Sequence, residues 1–457
     1  MSHPDRDRSF RERVTRLAEA ADREDAQLAS ELLAGLHPSQ IADVLEASPE
    51  DRRAFLWRLT NVEHKGEILT EVHDDVRDWL IRRSRPQDLA AAAGRLQLDE
   101  LADISGRLPK PVLKAVIQAM DLQRRERFEG VRAWPEESAG GLMDADALSV
   151  RADVTLYVVQ RYLRRYRRRA GEMPEHTDSL MVVDSANRYL GVLPLADVVA
   201  RPQSTTVAEV MNREVEGIEA FTPARRVARL FEDHDWLSAP VVDAEGQLIG
   251  RITVDDVVDV IREEADRTIM SRAGLDEDMD MFAPVMTSAM RRSVWLGVNL
   301  ANAFIAAWVI GLFEASIAQR VALAVLMPVV ASMGGVAGTQ SLTLVTRGIA
   351  LDQVTRANSR RLLATELGVG LVNGLFWAVV VAAIATAWFE DLKLGLVFGL
   401  AMVINIGNGT LTGTLIPLLL RRLGIDPALA GGVLLVALTD VIGFFAFLGL
   451  ATLWLLG

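Results

Sequence analysis

The chain has 457 residues, no cysteine and a formal net charge of −12. At roughly 150 residues per domain it has room for about three domains. The missing cysteines exclude disulfides, thiolate metal sites and thiol nucleophiles, and the acidic balance gives a nucleic-acid partner little support.

Half of the residues are hydrophobic and 24% are charged, but the two kinds are segregated. Up to Arg292 the chain is charge-dense; beyond it charges nearly vanish. A soluble core needs apolar residues spread along the whole sequence, so this division points to a membrane-embedded C-terminal half. The opening MSHPDRDRSFRERV is too charged for a secretory signal, which places the soluble half in the cytosol.

To about Gly130 the sequence reads as short amphipathic helices with frequent breaks, such as SQIADVLEA, DRRAFLWRL and DELADISGRL. Ser39, Ser48 and Asp99 are candidate caps. The pattern predicts a stack of helix hairpins, as in helical solenoids. Pro135 interrupts it, and WPEESAGGLM opens a new region.

From about Met143 the periodicity becomes β–α with an internal repeat, SLMVVDSANRYLGVLPLADVV and then SAPVVDAEGQLIGRITVDDVVDVI. Each copy predicts a short apolar strand, a polar turn, a second strand and a helix opened by an acidic cap, Asp197 or Asp255. The basic run Arg161–Arg169 reads as a solvated helix face, with phosphate or lipid-headgroup contact as the alternative. After Ile261 an acidic helical stretch joins this module to the membrane half.

Five apolar stretches follow, near Val294–Phe313, Val321–Thr346, Leu362–Phe389, Leu394–Leu420 and Ala428–Leu456. Each reaches the roughly 20 residues that a membrane-crossing helix needs. Arg291 and Arg292 precede the first; Arg347, Arg356, Arg360 and Arg361 lie between the second and third; Arg421 and Arg422 lie between the fourth and fifth. These connections predict a shared cytosolic side and an external C-terminus.

Polar groups inside the spans carry the functional signal, because burying them in lipid is costly. Asp440 stands near the middle of the last span with no Lys or Arg at similar depth, which predicts a cation pathway. Asn299 with Asn302, Glu366 with Asn373, and Asn405, Asn408 and Thr412 recur at helical spacing. They read as pore lining or as interhelical hydrogen-bonding groups. Gly334, Gly335 and Gly338 predict close backbone approach or local unwinding. No Ser-His-Asp pattern, phosphate-cradling glycine loop or paired histidines at metal spacing suggests an enzyme.

The repeat over roughly 143–264 resembles paired cystathionine-β-synthase (CBS) domains. With WPEESAGGLM, PVVASMGGVAGTQSLTLVTRG, ITVDDVVDVI and GIDPALAGGVLLVALTDVIGFFAFLGLA, nearly the whole chain resembles the MgtE family of magnesium channels and transporters, as a divergent member. The resemblance implies an all-α N-terminal domain (1–135), an α/β tandem CBS pair (136–264), a connecting, plug-type helix (265–292) and an all-α five-helix transmembrane domain (293–457).

It further implies a homodimer in the cell (inner) membrane with the ion path between subunits. Asp440 then falls at the ion site, with Gly334, Gly335, Asn405, Asn408 and Ala437 as pore-lining candidates. Regulatory Mg²⁺ falls on Asp235, Asp256, Asp259 and Glu264. Mg²⁺ gives up its water reluctantly, so a carboxylate can hold it through retained waters.

The chain departs from the family at Val336 and Thr339, where the family has asparagines, and at Pro223, Arg225 and Arg267, where it has acidic residues. Three readings follow: gated Mg²⁺ uptake through a dimeric pore; transport of Mn²⁺ or Co²⁺, or Na⁺-coupled exchange, with weakened Mg²⁺ sensing; and a membrane-anchored CBS sensor that conducts nothing. Whether the CBS pair holds a nucleotide is left open by the residues.

Overall fold

The computed structural model describes residues 3–171, 173–174, 176–275, 278–351, 353–355, 357–425 and 427–456. Two compact units emerge. One comprises residues 1–267 with 277–283, the other 268–276 with 284–457.

The first unit begins with short helices running from His3–Asp22 to Leu122–Val131. One apolar core gathers a stripe from each helix, including Leu17, Leu45, Leu56, Ile68, Leu80, Leu101 and Phe128. Helices of 8 to 10 residues are marginal alone, so this shared core holds them. The caps differ from the expected ones. His37 and Gln97 begin their helices with reciprocal capping boxes, Gln97 N–H donating to Glu100 Oε2 at 2.8 Å. Pro49 precedes the next helix, while Ser48 Oγ donates back to Val44 O.

The internal repeat becomes two three-stranded sheets, β1 (Ser149–Arg151), β2 (Ser179–Val183) and β3 (Tyr189–Pro194), then β4 (Ile218–Glu219), β5 (Ser238–Val242) and β6 (Leu248–Thr253). In each, the first pair is parallel and the second antiparallel, with a register shift at the same place, Val182/Val183 and Val241/Val242. Ser179 Oγ and Ser238 Oγ, equivalent in the two copies, lie 3.2 Å apart. Strands β2 and β5 are buried along their length, which explains why they read as continuous apolar runs. Asp197 and Asp255 lie in the first turn of their helices instead of capping them. The second of these helices continues unbroken over Val254–Arg272.

Among the described residues the second unit contains five helices long and apolar enough to cross a membrane: Val285–Gly311, Ala322–Ala350, Ser359–Phe389, Leu392–Arg422 and Pro427–Ala451, the apolar stretch of the last being Ala430–Leu455. They are called here the first to fifth spans. The first opens well before its apolar stretch, so Arg291 and Arg292 lie on the helix itself. Arg356, in the basic connection, lies outside the described residues. The fourth span is the most enclosed; the second, third and fifth pack on it, and the first packs on the fifth.

Candidate ion pathway and regulatory site

The fourth span binds the second through glycine. A Cβ on Gly409 would stand 2.3 Å from Gly334 O, and one on Gly413 would stand 2.3 Å from Gly338 O. The two pairs, each four residues apart, let the helix backbones touch, which is the packing available where lipid removes any hydrophobic drive between helices. Asn405 fills the remaining slot. Its side chain is fully buried between Gly334 and Gly443, and Nδ2 donates to Val330 O at 2.7 Å.

The second span also meets the fifth, where a Cβ on Gly338 would stand 2.6 Å from Leu435 Cδ1. Between them runs an open groove of about 440 Å³. The second span contributes Ala331, Ser332, Gly335, Val336, Thr339 and Gln340; the fifth contributes Val436, Thr439 and Asp440. Among the described residues of these walls Asp440 is the sole ionisable one. Thr439 and Thr339 return their hydroxyl protons to their own helices, at Leu435 O and Gly335 O, leaving oxygen lone pairs as their spare capacity.

The structure therefore brings Gly335 and Asp440 together, with Val336 and Thr339 between the same walls. Gly334 and Asn405 lie behind the groove, in the helix packing. Asn408 Nδ2 reaches Leu438 O at 3.5 Å, and half-buried Ala437 is absent from the groove walls. Sequence reading missed Ser332, Gln340 and Thr439. A stripe at 332, 335/336 and 339/340 carried the signal, but glycine and valine within it hid its polarity. Glu366, paired with Asn373 in the sequence, is buried and accepts a 2.6 Å hydrogen bond from Ser341 Oγ, whereas Asn373 is exposed.

In the first unit, Asp256 and Asp259 lie on the helix that follows β6. Asp256 accepts from Thr253 N–H and Oγ1, both at 3.0 Å. Desolvation pushes its pKa up to about 6, aided by Asp255 and Asp144 against the Thr253 bonds. Asp259 is also raised by desolvation, with Arg262 opposing. Glu264 is engaged by arginine: Arg225 Nε lies 2.7 Å and Arg267 Nη1 4.0 Å from its Oε2, and Arg267 Nη2 also donates to Glu137.

Asp235 ends the helix Ala224–His234 in the left-handed conformation, with φ of +52°. The four acids are not gathered into one cluster; among the described residues no group of three or more His, Asp or Glu is arranged to hold a metal. Asp99, from the helical domain, was not singled out as a site residue by sequence. It is buried, and desolvation followed by the Asp256 and Asp144 charges raises its pKa well above the ordinary range.

A polytopic membrane unit joined to a helical and CBS-paired soluble unit defines a regulated membrane transporter by class. A family profile described as "MgtE: Divalent cation transporter" matches residues 327–450; "MgtE intracellular N domain" matches 36–137 and "CBS domain" 207–263. The chain is similar to the magnesium transporter MgtE of Thermus thermophilus, 31% identical over 444 residues that cover 96% of this chain and 98% of that protein. It is 27% identical over 417 residues to the magnesium transporter MgtE of Bacillus subtilis, covering 91% and 92%. A crystal structure of the cytosolic domain of the Mg²⁺ channel MgtE in complex with ATP aligns at 31% identity and a TM-score of 0.48, covering 54% of this chain and 99% of that one. This chain belongs to the MgtE family.

Proposed function

We propose that this protein carries Mg²⁺ across the cell membrane along the groove between its second and fifth spans, with Asp440 as the ion-attracting group. The observation that carries the reading is the placement of one carboxylate, within an otherwise uncharged span, on an open groove whose walls hold no basic residue. An ionised carboxylate at that depth needs water or a cation, and a hydrated hard cation supplies both.

The groove is open on one side, so a second copy of the chain related by a two-fold axis would close it with a second Asp440. We assign the soluble unit to the cytosol and the C-terminus to the outside, on the strength of the basic connections. Asp235, Asp256, Asp259 and Glu264 remain the proposed regulatory acids. Asp256 and Asp259, both desolvated and both repelled by Asp255, suit a role in which a bound cation offsets that repulsion. Arg225 and Arg267 already neutralise Glu264, which supports weakened divalent sensing at that position. The reading assigns transport and no catalysis.

The test is Mg²⁺ flux into liposomes containing the full-length protein or its Asp440→Ala variant, at low and high Mg²⁺ on the cytosolic face. Flux that requires Asp440 supports the reading; equal flux in both proteins overturns the assignment of Asp440. A second reading, preference for Mn²⁺ or Co²⁺, is favoured by Val336, an aliphatic side chain in the groove wall. Failure of Mg²⁺ to compete with Mn²⁺ for entry would select it.

A further inference from the structure

The stretch 265–292, expected as one connecting helix, is not one helix: the helix Val254–Arg272 ends within it, the first span opens at Val285, and the chain passes between them through a short strap, Asp278–Ala283. The strap counts with the first unit, although the residues before and after it count with the second. Its attachment is specific. The side chain of Arg53, on the helix Glu50–Leu59, is 0% exposed and that of Asp280 6%. Arg53 Nη1 donates to Asp280 Oδ2 at 2.7 Å and Nη2 to Oδ1 at 3.0 Å, a bidentate fork that matches a carboxylate in shape as well as charge. Arg53 Nε donates to Leu45 O at 2.8 Å, and the guanidinium lies over the Trp79 ring at 5.4 Å.

The strap is held by its backbone too. Asp280 N–H donates to Asp75 Oδ2 at 3.2 Å, Phe282 N–H donates to Asp280 Oδ1 at 2.9 Å, and Asp278 Oδ1 accepts from Asp74 N–H at 3.5 Å. A buried guanidinium without its carboxylate is strongly unfavourable, so Arg53 and its surroundings form a pocket that needs an acidic occupant.

We propose that the helical domain carries a docking site for this strap, and that the Arg53–Asp280 pair is a latch through which the helical domain controls the entrance of the first span. The functional half of this statement rests on the transport reading above. Pro284 caps the first span, and Val285, the first residue of its helix, is five Cα–Cα steps on from Asp280. Fully extended they reach about 17 Å, at roughly 3.3–3.6 Å per residue. A larger displacement of the helical domain must either open the latch or move the span.

The experiment compares full-length wild type, Asp280→Ala and the milder Asp280→Asn in lipid nanodiscs and liposomes, by hydrogen exchange and by Mg²⁺ flux. The strap amides of Asp280 and Phe282 should exchange at least about tenfold faster in Asp280→Ala, while the helices Val62–Glu71 and Pro86–Ala93 keep wild-type protection and so report an intact fold. Asp280→Asn should shift exchange in the same direction by less. The ratio of flux at low to high cytosolic Mg²⁺ should fall by at least about threefold, a change that a purely structural role of the pair would not produce. Unchanged strap exchange overturns the docking site; released strap with an unchanged flux ratio overturns the latch. If wild type carries no flux, the transport reading falls, and the docking site stands or falls on exchange alone.

Discussion

The two units solve the same problem, a polar group out of water, by different means. In the soluble unit charges are brought together: Arg53 grips Asp280, Arg225 and Arg267 meet Glu264, and Asp99 is crowded by Asp256 and Asp144. In the membrane unit polarity is returned to the backbone. Thr410, Thr412, Thr414 and Thr439 donate to carbonyls of their own helices, and Asn405 donates to Val330 O. Lipid offers no alternative partner, so such local satisfaction is the rule there. Glu366, buried and accepting from Ser341 Oγ, and Asp440, on the open groove, depart from that pattern, whereas an acid in the soluble unit is ordinary until its surroundings make it otherwise.

If that contrast is correct, the largest effect belongs to Asp440. Asp440→Ala should lower Mg²⁺ flux by about 100-fold or more, equivalent to roughly 3 kcal/mol on passage at 1.4 kcal/mol per decade, without altering thermal stability in detergent. Retained flux would break the comparison at its centre.

Gly409→Ala should come next. Its Cβ would meet the Gly334 carbonyl, a backbone group that cannot swing aside, and the strain should destabilise the membrane unit by about 1–3 kcal/mol. Thermal unfolding in detergent checks this.

Asp99→Asn tests the soluble side. Folding raises the pKa of Asp99, so the fold binds that proton more tightly than the unfolded chain does. The stability gained is full below the ordinary carboxylate value and is lost as pH rises through the folded value. The amide should therefore stabilise the helical domain by about 1 kcal/mol at pH 8 and leave it unchanged well below the ordinary carboxylate pKa. Hydrogen exchange of the helix Leu98–Ser105 in the full-length protein reads the difference.

Arg225→Ala should have the smallest effect on stability. Its ion pair with Glu264 is half-exposed, worth under about 1 kcal/mol. Removing one of the two arginines on Glu264 should instead lower the cytosolic Mg²⁺ concentration that halves flux; an unchanged threshold would argue against Glu264 as a regulatory acid.

Much of this architecture was legible in the residues. Five long apolar runs, a repeated strand–turn–strand–helix pattern and short amphipathic helices each follow from local periodicity, and local periodicity is what a sequence displays. Asp440 was legible for the same reason, since a carboxylate in the middle of an apolar span conflicts with its surroundings. Helix starts were less so: His37 and Gln97 cap helices where serine and aspartate nearby are the commoner capping types, because a capping box depends on the reciprocal bond as much as on the residue type.

Tertiary structure alone decided which polar residues face the groove and which lie behind it. Gly334 and Gly335 are adjacent and identical, yet one packs against Asn405 and the other lines the groove, since successive helix positions point about 100° apart. It alone also joined Arg53 to Asp280, 227 residues away, and set Asp99 near Asp256. A sequence records what each side chain can do, but the pairing of distant charges depends on burial that many segments create together.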